Sequence, residues 1–173
     1  MAGPMAGQPS GPMGAPSAPP GMEGNVPKPP VAAGAGSVKW TLPKGWSEAH
    51  PGGMRYATLT PAVQGKVDVS VVVLAGAAGG ELSNANRWRG QIGLGPVDEP
   101  TLATMRKQVQ SKAGAVSVYD FTSEGTVKSR MLAAVLSASD GNTWFFKMVG
   151  DDKVVAQSQK EFIKLLETLQ LGQ

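Results

Sequence analysis

Residues 128–149 read KSRMLAAVLSASDGNTWFFKMV, and the fold follows from how this stretch is read. In an extended chain, Met131, Ala133 and Val135 fall on one face and Leu132, Ala134 and Leu136 on the other, because successive strand side chains point in opposite directions. Asp140-Gly141-Asn142 interrupts the run. Asp and Gly tolerate the positive backbone angles of a tight turn, so the tripeptide is a strong hairpin signal. Thr143–Val149 then pairs back on Lys128–Ser139, and two adjacent antiparallel strands are set.

Working outward, Val116–Thr122 alternates as a strand before the Glu124–Gly125 turn, and the residues from Val109 onward are extended up to a turn at Ala113–Gly114. Farther upstream, Lys66–Leu74 alternates and then becomes the β-branched run Val71–Val73, which predicts a central strand covered on both faces. Met54–Thr60 is a strand closed by Pro61, and Val38–Leu42 a short strand ended by Pro43. Between them, Pro43, Gly45, Pro51, Gly52 and Gly53 punctuate a loop that carries Trp46 and His50. Leu82, Ala85, Trp88 and Ile92 keep helical spacing over 82–94, with Ser83 or Gly80–Glu81 as its start. Asp98 or Thr101 opens a second short helix to about Lys107. Downstream of the hairpin, Asp151 or Asp152 starts a final helix with an apolar stripe at Val155, Phe162, Leu165, Leu166 and Leu169. Hairpins dominate the connections. The prediction is an α+β fold: a mainly antiparallel sheet of about six or seven strands flanked by helices.

The 173-residue chain carries a formal net charge of +3 and no Cys, which excludes disulfide scaffolds and cysteine-based metal or redox sites. Its longest apolar stretch, Val69–Ala78, is broken by Ser70 and Gly76 and falls short of the roughly 20 residues of a membrane-spanning helix. Residues 1–37 hold nine Pro, eight Gly and seven Ala, with Glu23 and Lys28 as their only charges. That composition predicts a disordered linker over 1–37 and a single α+β domain over 38–173, because the segment has too little apolar surface to offset its ordering entropy. Basic residues are scattered, apart from the Arg87–Arg89 and Arg106–Lys107 pairs, so nucleic acid is not an expected partner.

No catalytic, metal or cofactor-binding residue is expected. The one His, His50, has Glu48 two residues away, but no Gly-x-Ser-x-Gly elbow exists. Asp98–Glu99 and Asp151–Asp152 sit at helix starts, where carboxylates oppose the helix dipole. Gly76-Ala-Ala-Gly79-Gly80, between a strand and a helix and followed by Arg87, has the order of an anion cradle. Its spacing matches neither a dinucleotide fingerprint nor a P-loop, and a tight crossover explains it as well. Asn84, Arg87 and Gln91 share one helix face beside Trp88 and Ile92. They read either as a recognition stripe or as polar groups bonded to nearby backbone and water while Trp88 anchors the helix. The candidate binding surface is therefore Gly79, Gly80, Asn84, Arg87 and Gln91. Trp40, Trp46 and Trp144 read as core or as the wall of a sugar- or lipid-binding cleft.

The segments WTLPKGW (40–46), MRYATL (54–59), NRWRGQ (86–91), RMLAAV (130–135) and WFFKMVG (144–150) together resemble a bacterial envelope and lipoprotein family with a Mog1/PsbP-like domain. The resemblance covers about residues 38–171. It implies an antiparallel sheet flanked by helices and a non-enzymatic binding or scaffolding domain of the cell envelope, with a protein as partner. The alternative is a small anionic-ligand binder using Gly76–Gly80 and Arg87. Members of the family often carry a signal peptide and a lipidated cysteine ahead of a low-complexity linker. The expectation is thus a monomeric periplasmic or membrane-tethered domain, lipidated in its precursor; the alternative is a cytoplasmic protein with a disordered leader.

Overall fold

The computed structural model describes residues 38–172, so the expected disorder of 1–37 lies outside the described residues. In chain order the elements are β1 (Val38–Lys39), β2 (Ser47–Ala49), β3 (Ala57–Thr60), β4 (Val67–Ala75), α1 (Glu81–Gln91), α2 (Glu99–Met105), β5 (Lys107–Ser111), β6 (Gly114–Thr122), β7 (Ser129–Ser137), β8 (Asn142–Asp151), α3 (Asp152–Glu167) and β9 (Gln170–Leu171). Seven strands form one sheet in the order β2-β3-β4-β8-β7-β6-β5, and every neighbouring pair is antiparallel. The fold is α+β, as the hairpin reading requires. At the central hairpin Gly141 has φ 88°, and the Asp140 carboxylate accepts the Asn142 backbone N–H at 3.0 Å.

Both faces of the sheet are apolar, so both need cover. On one face Val71, Leu132, Leu136, Trp144, Phe146 and Met148 pack with Phe162, Leu165 and Leu166 of α3. On the other, Tyr119, Phe121, Met131, Val135 and Phe145 pack with Ala85 and Trp88 of α1 and Leu102 of α2. This second core draws on β6, β7 and β8, with Val72 and Leu74 of β4 half-buried beside it and nothing from β2 or β3. The two helices therefore leave one side of that face open. β4 is central, as predicted; on its α3 side Val69, Val71 and Val73 are buried, while on the other side Ser70 is buried and Val72 and Leu74 are half-buried.

Three local outcomes depart from the expectations. The segment read as a loop around Trp46 and His50 contains β2, an edge strand of three exposed residues paired with β3. No burial pattern marks it, because a short edge strand faces water on most sides. The first strand is limited to Val38–Lys39 and pairs with β9 rather than with the main sheet. The strand expected from Met54 begins at Ala57, since Gly52 (φ 84°) and Gly53 (φ 70°) turn the chain and Gly52 bridges back to Arg55. Of the two helix starts the sequence offers, α1 uses Gly80–Glu81 and not Ser83. Among the described residues no helix is long and apolar enough to cross a membrane.

Candidate functional site

The glycine loop is a tight crossover. Gly76 donates its N–H to Gly141 O at 2.9 Å and accepts from Thr143 Oγ1 at 2.5 Å. Gly79 and Gly80 have φ of 90° and 86°, a left-handed backbone that disfavours residues with a Cβ. Asn84, only 4 % exposed, turns its amide back onto the loop, donating Nδ2–H to Ala78 O at 3.0 Å and Gly80 O at 2.8 Å. The small cavity here, about 150 Å³, is lined by Gly80, Glu81 and Asn84 among others. Glu81 brings a negative charge to that helix start. Its carboxylate accepts a hydrogen bond from the Tyr119 hydroxyl and pairs with Arg106 Nη2 at 3.1 Å. Burial, then the hydrogen bond to Glu81, pushes the Tyr119 phenol up to about 12.

Arg87 and Gln91 stand exposed on α1. Gln91 Oε1 accepts from Lys147 Nζ at 3.0 Å, so the structure brings this predicted residue to a β8 lysine rather than to the glycine loop. Burial, then the Arg87 charge, lowers the Lys147 pKa below the usual lysine range. Arg89 serves packing: its Nε–H donates to Gly95 O at 2.8 Å and its guanidinium lies 5.1 Å from the Phe121 ring centre.

A second arrangement lies at the β2 edge. One cavity of about 300 Å³ is lined by Val38, Lys39, Trp40, Glu48, His50 and Tyr56. A neighbour of about 270 Å³ shares His50 and Tyr56 and adds Gly52, Gly53, Met54, Arg55 and Val73. Trp40 Nε1–H donates to Glu48 Oε1 at 2.6 Å, and Glu48 Oε2 lies 2.8 Å from His50 Nε2. His50 Nδ1 lies 2.9 Å from the Tyr56 carbonyl. A carbonyl only accepts, so Nδ1 carries hydrogen, while Nε2 faces a carboxylate. The carbonyl of Tyr56 first, and Glu48 second, raise the His50 pKa above its ordinary value and favour the imidazolium. Tyr56 packs edge-on against Trp40 at 6.0 Å and against Trp144 at 5.1 Å. Arg55 is forked onto Asp68 at 2.8 and 3.0 Å.

Of the three tryptophans considered, only Trp40 lines the cleft. Trp46 is buried with its Nε1–H on Glu161 Oε2 of α3 at 2.7 Å, and Trp144 is fully buried. Tyr56 was missing from the sequence candidates, and the Glu48–His50 pair was considered there only as a catalytic pair and set aside. The signal was the two-residue spacing, since residues two apart in extended chain share a face, but it requires knowing that β2 is a strand leading into His50. A further concavity of about 400 Å³, around Lys128, Asp151, Asp152 and Lys153, mixes charges of both signs without an aromatic wall. Among the described residues no group of three or more His, Cys, Asp or Glu is placed to hold a metal ion.

No family model and no curated protein matches this chain. Solved structures similar to it at low identity include the following three. A protein from Bacteroides thetaiotaomicron aligns with TM-score 0.47 and 13 % identity, over 83 % of this chain and 47 % of that one. The chain thus spans about half the length of that protein. LpqN, involved in cell envelope biogenesis of Mycobacterium tuberculosis, aligns with TM-score 0.48 and 7 % identity, over 79 % of this chain and 83 % of that one. Cyanobacterial PsbP (CyanoP) from Synechocystis sp. PCC 6803 aligns with TM-score 0.47 and 10 % identity, over 78 % and 92 %.

Proposed function

We propose that this chain is a non-catalytic binding domain of the bacterial cell envelope that recognises another protein through the Trp40–Tyr56 cleft. The observation that supports this reading is the state of His50. Both ring nitrogens are engaged, one by the Tyr56 carbonyl and one by Glu48, so neither is open toward a substrate. A general base needs an open nitrogen aimed at a substrate proton. What the cleft offers instead is an aromatic wall of Trp40 and Tyr56, the residue types that anchor protein interfaces. The envelope setting rests on the motif resemblance of residues 40–46, 54–59, 86–91, 130–135 and 144–150.

Photo-crosslinking in cells tests this reading. A photoreactive residue at Met54, which lines the cleft and is 41 % exposed, should yield one discrete adduct in the envelope fraction. A probe at Val127, 84 % exposed and outside the cleft lining, should not yield it. Trp40→Ala in the Met54 probe background should abolish the adduct while the circular dichroism spectrum is kept. The same adducts from both probes, or an adduct indifferent to Trp40, overturn the proposal.

A further inference from the structure

We infer that the open side of the α1 face carries an oxyanion site for a phosphate-bearing group, built by Arg87, Gln91 and Lys147. Lys147 projects from β8 to the face that holds Phe145, two residues earlier, against Trp88 of α1. Across the strand pair it stands opposite Ser70 of β4, whose side chain shares that face. Arg87 and Gln91 are one turn apart on α1, so they flank the same position. Gln91 spends its carbonyl oxygen on Lys147 Nζ at 3.0 Å, which leaves its NH2 group as a donor. The set therefore consists of an ammonium, a guanidinium and an amide N–H, all donors and two of them charged.

The charges are uncompensated where it matters. Among the described residues, neither Arg87 nor Lys147 forms an ion pair with a carboxylate. The carboxylate nearest to Lys147 in influence, Asp68, is already taken by the forked Arg55. Burial first, and the Arg87 charge second, disfavour the Lys147 ammonium. A tetrahedral oxyanion relieves the repulsion and accepts from all three donors. The site lies away from the glycine loop, where Glu81 supplies a negative charge, and it is independent of the Trp40–Tyr56 cleft.

The test is a titration of the full chain with inorganic phosphate at low ionic strength, followed by amide and side-chain resonances. Saturable shifts are expected at Arg87 Nε–H, the Gln91 side-chain amide and the Lys147 backbone, with none at Gly79–Ser83. Arg87→Gln should weaken binding at least tenfold, Lys147→Met likewise, and Arg89→Gln should leave it unchanged. Co-sedimentation with phosphatidylglycerol and with phosphatidylcholine vesicles separates the sources. Arg87-dependent binding to the anionic vesicles assigns a lipid headgroup, and phosphate binding without vesicle binding assigns a free phosphate compound. The absence of both, or binding that survives Arg87→Gln and Lys147→Met in folded protein, overturns the inference.

Discussion

His50 is the residue whose chemistry most directly reports the cleft. Its pKa is raised in the folded chain, by the Tyr56 carbonyl first and Glu48 second. The contribution to stability is then fully present below the unfolded value of about 6.5 and is lost as pH rises through the folded value. An NMR titration of the His50 ring should give a pKa above that reference, and Glu48→Gln should lower it without removing the whole shift, because the carbonyl remains. A ring titrating at the ordinary value would show that neither contact persists in solution. Ser158 poses a simpler question. It is fully buried on α3, and among the described residues its Oγ has no hydrogen-bond partner. Ser158→Ala removes an unsatisfied hydroxyl and adds helix propensity, so it should stabilise by about 1 kcal/mol in denaturant unfolding. A loss of stability would reveal a water bonded to the hydroxyl.

α1 and β8 illustrate how elements are held. Trp88 is buried between α1 and Phe145, their rings 5.8 Å apart. Trp88→Ala should therefore cost about 3–5 kcal/mol, whereas Arg87→Ala, on the exposed side of the helix, should stay within about 0.5 kcal/mol. Equal melting temperatures for the two variants would mean that the helix is not anchored by the indole. In β8 the constraint comes from a missing side chain. A Cβ on Gly150 would meet the Lys66 carbonyl oxygen at 2.1 Å and Val67 Cα at 2.8 Å, and that carbonyl accepts the Asp151 N–H at 3.0 Å. Backbone cannot yield as a flexible side chain does. Gly150→Ala should cost about 1–3 kcal/mol, read as a lower urea midpoint at unchanged slope.

For the molecule as a whole, the cover of the sheet decides which truncations survive. We propose that residues 38–173 fold alone, since residues 1–37 contain no Trp, Tyr or Phe and few large apolar side chains. A chain starting at Val38 should unfold at the temperature of the full chain. One ending at Asp151 lacks Phe162, Leu165 and Leu166, each worth about 1.5–3 kcal/mol, against a total stability of about 5–15 kcal/mol. It should show no cooperative transition in calorimetry; a sharp one would mean that α3 is dispensable. The hairpin of β7 and β8, the strand character of β4 and β6 and the apolar stripe of α3 were legible in the chain itself, because alternation, turn chemistry and helical spacing are local. Asn84, Arg87 and Gln91 share a helix face by spacing alone. Only the fold turns Asn84 back onto its own loop and sets Gln91 against Lys147, 56 residues downstream. The same holds for the cleft. β2 has no periodic signal of its own, and Tyr56 reaches Trp144 only because the turn at Gly52–Gly53 delays the start of β3. Local pattern determines which segments become strands and helices; which polar groups meet is decided by long-range packing of the sheet, and no short window of sequence contains it.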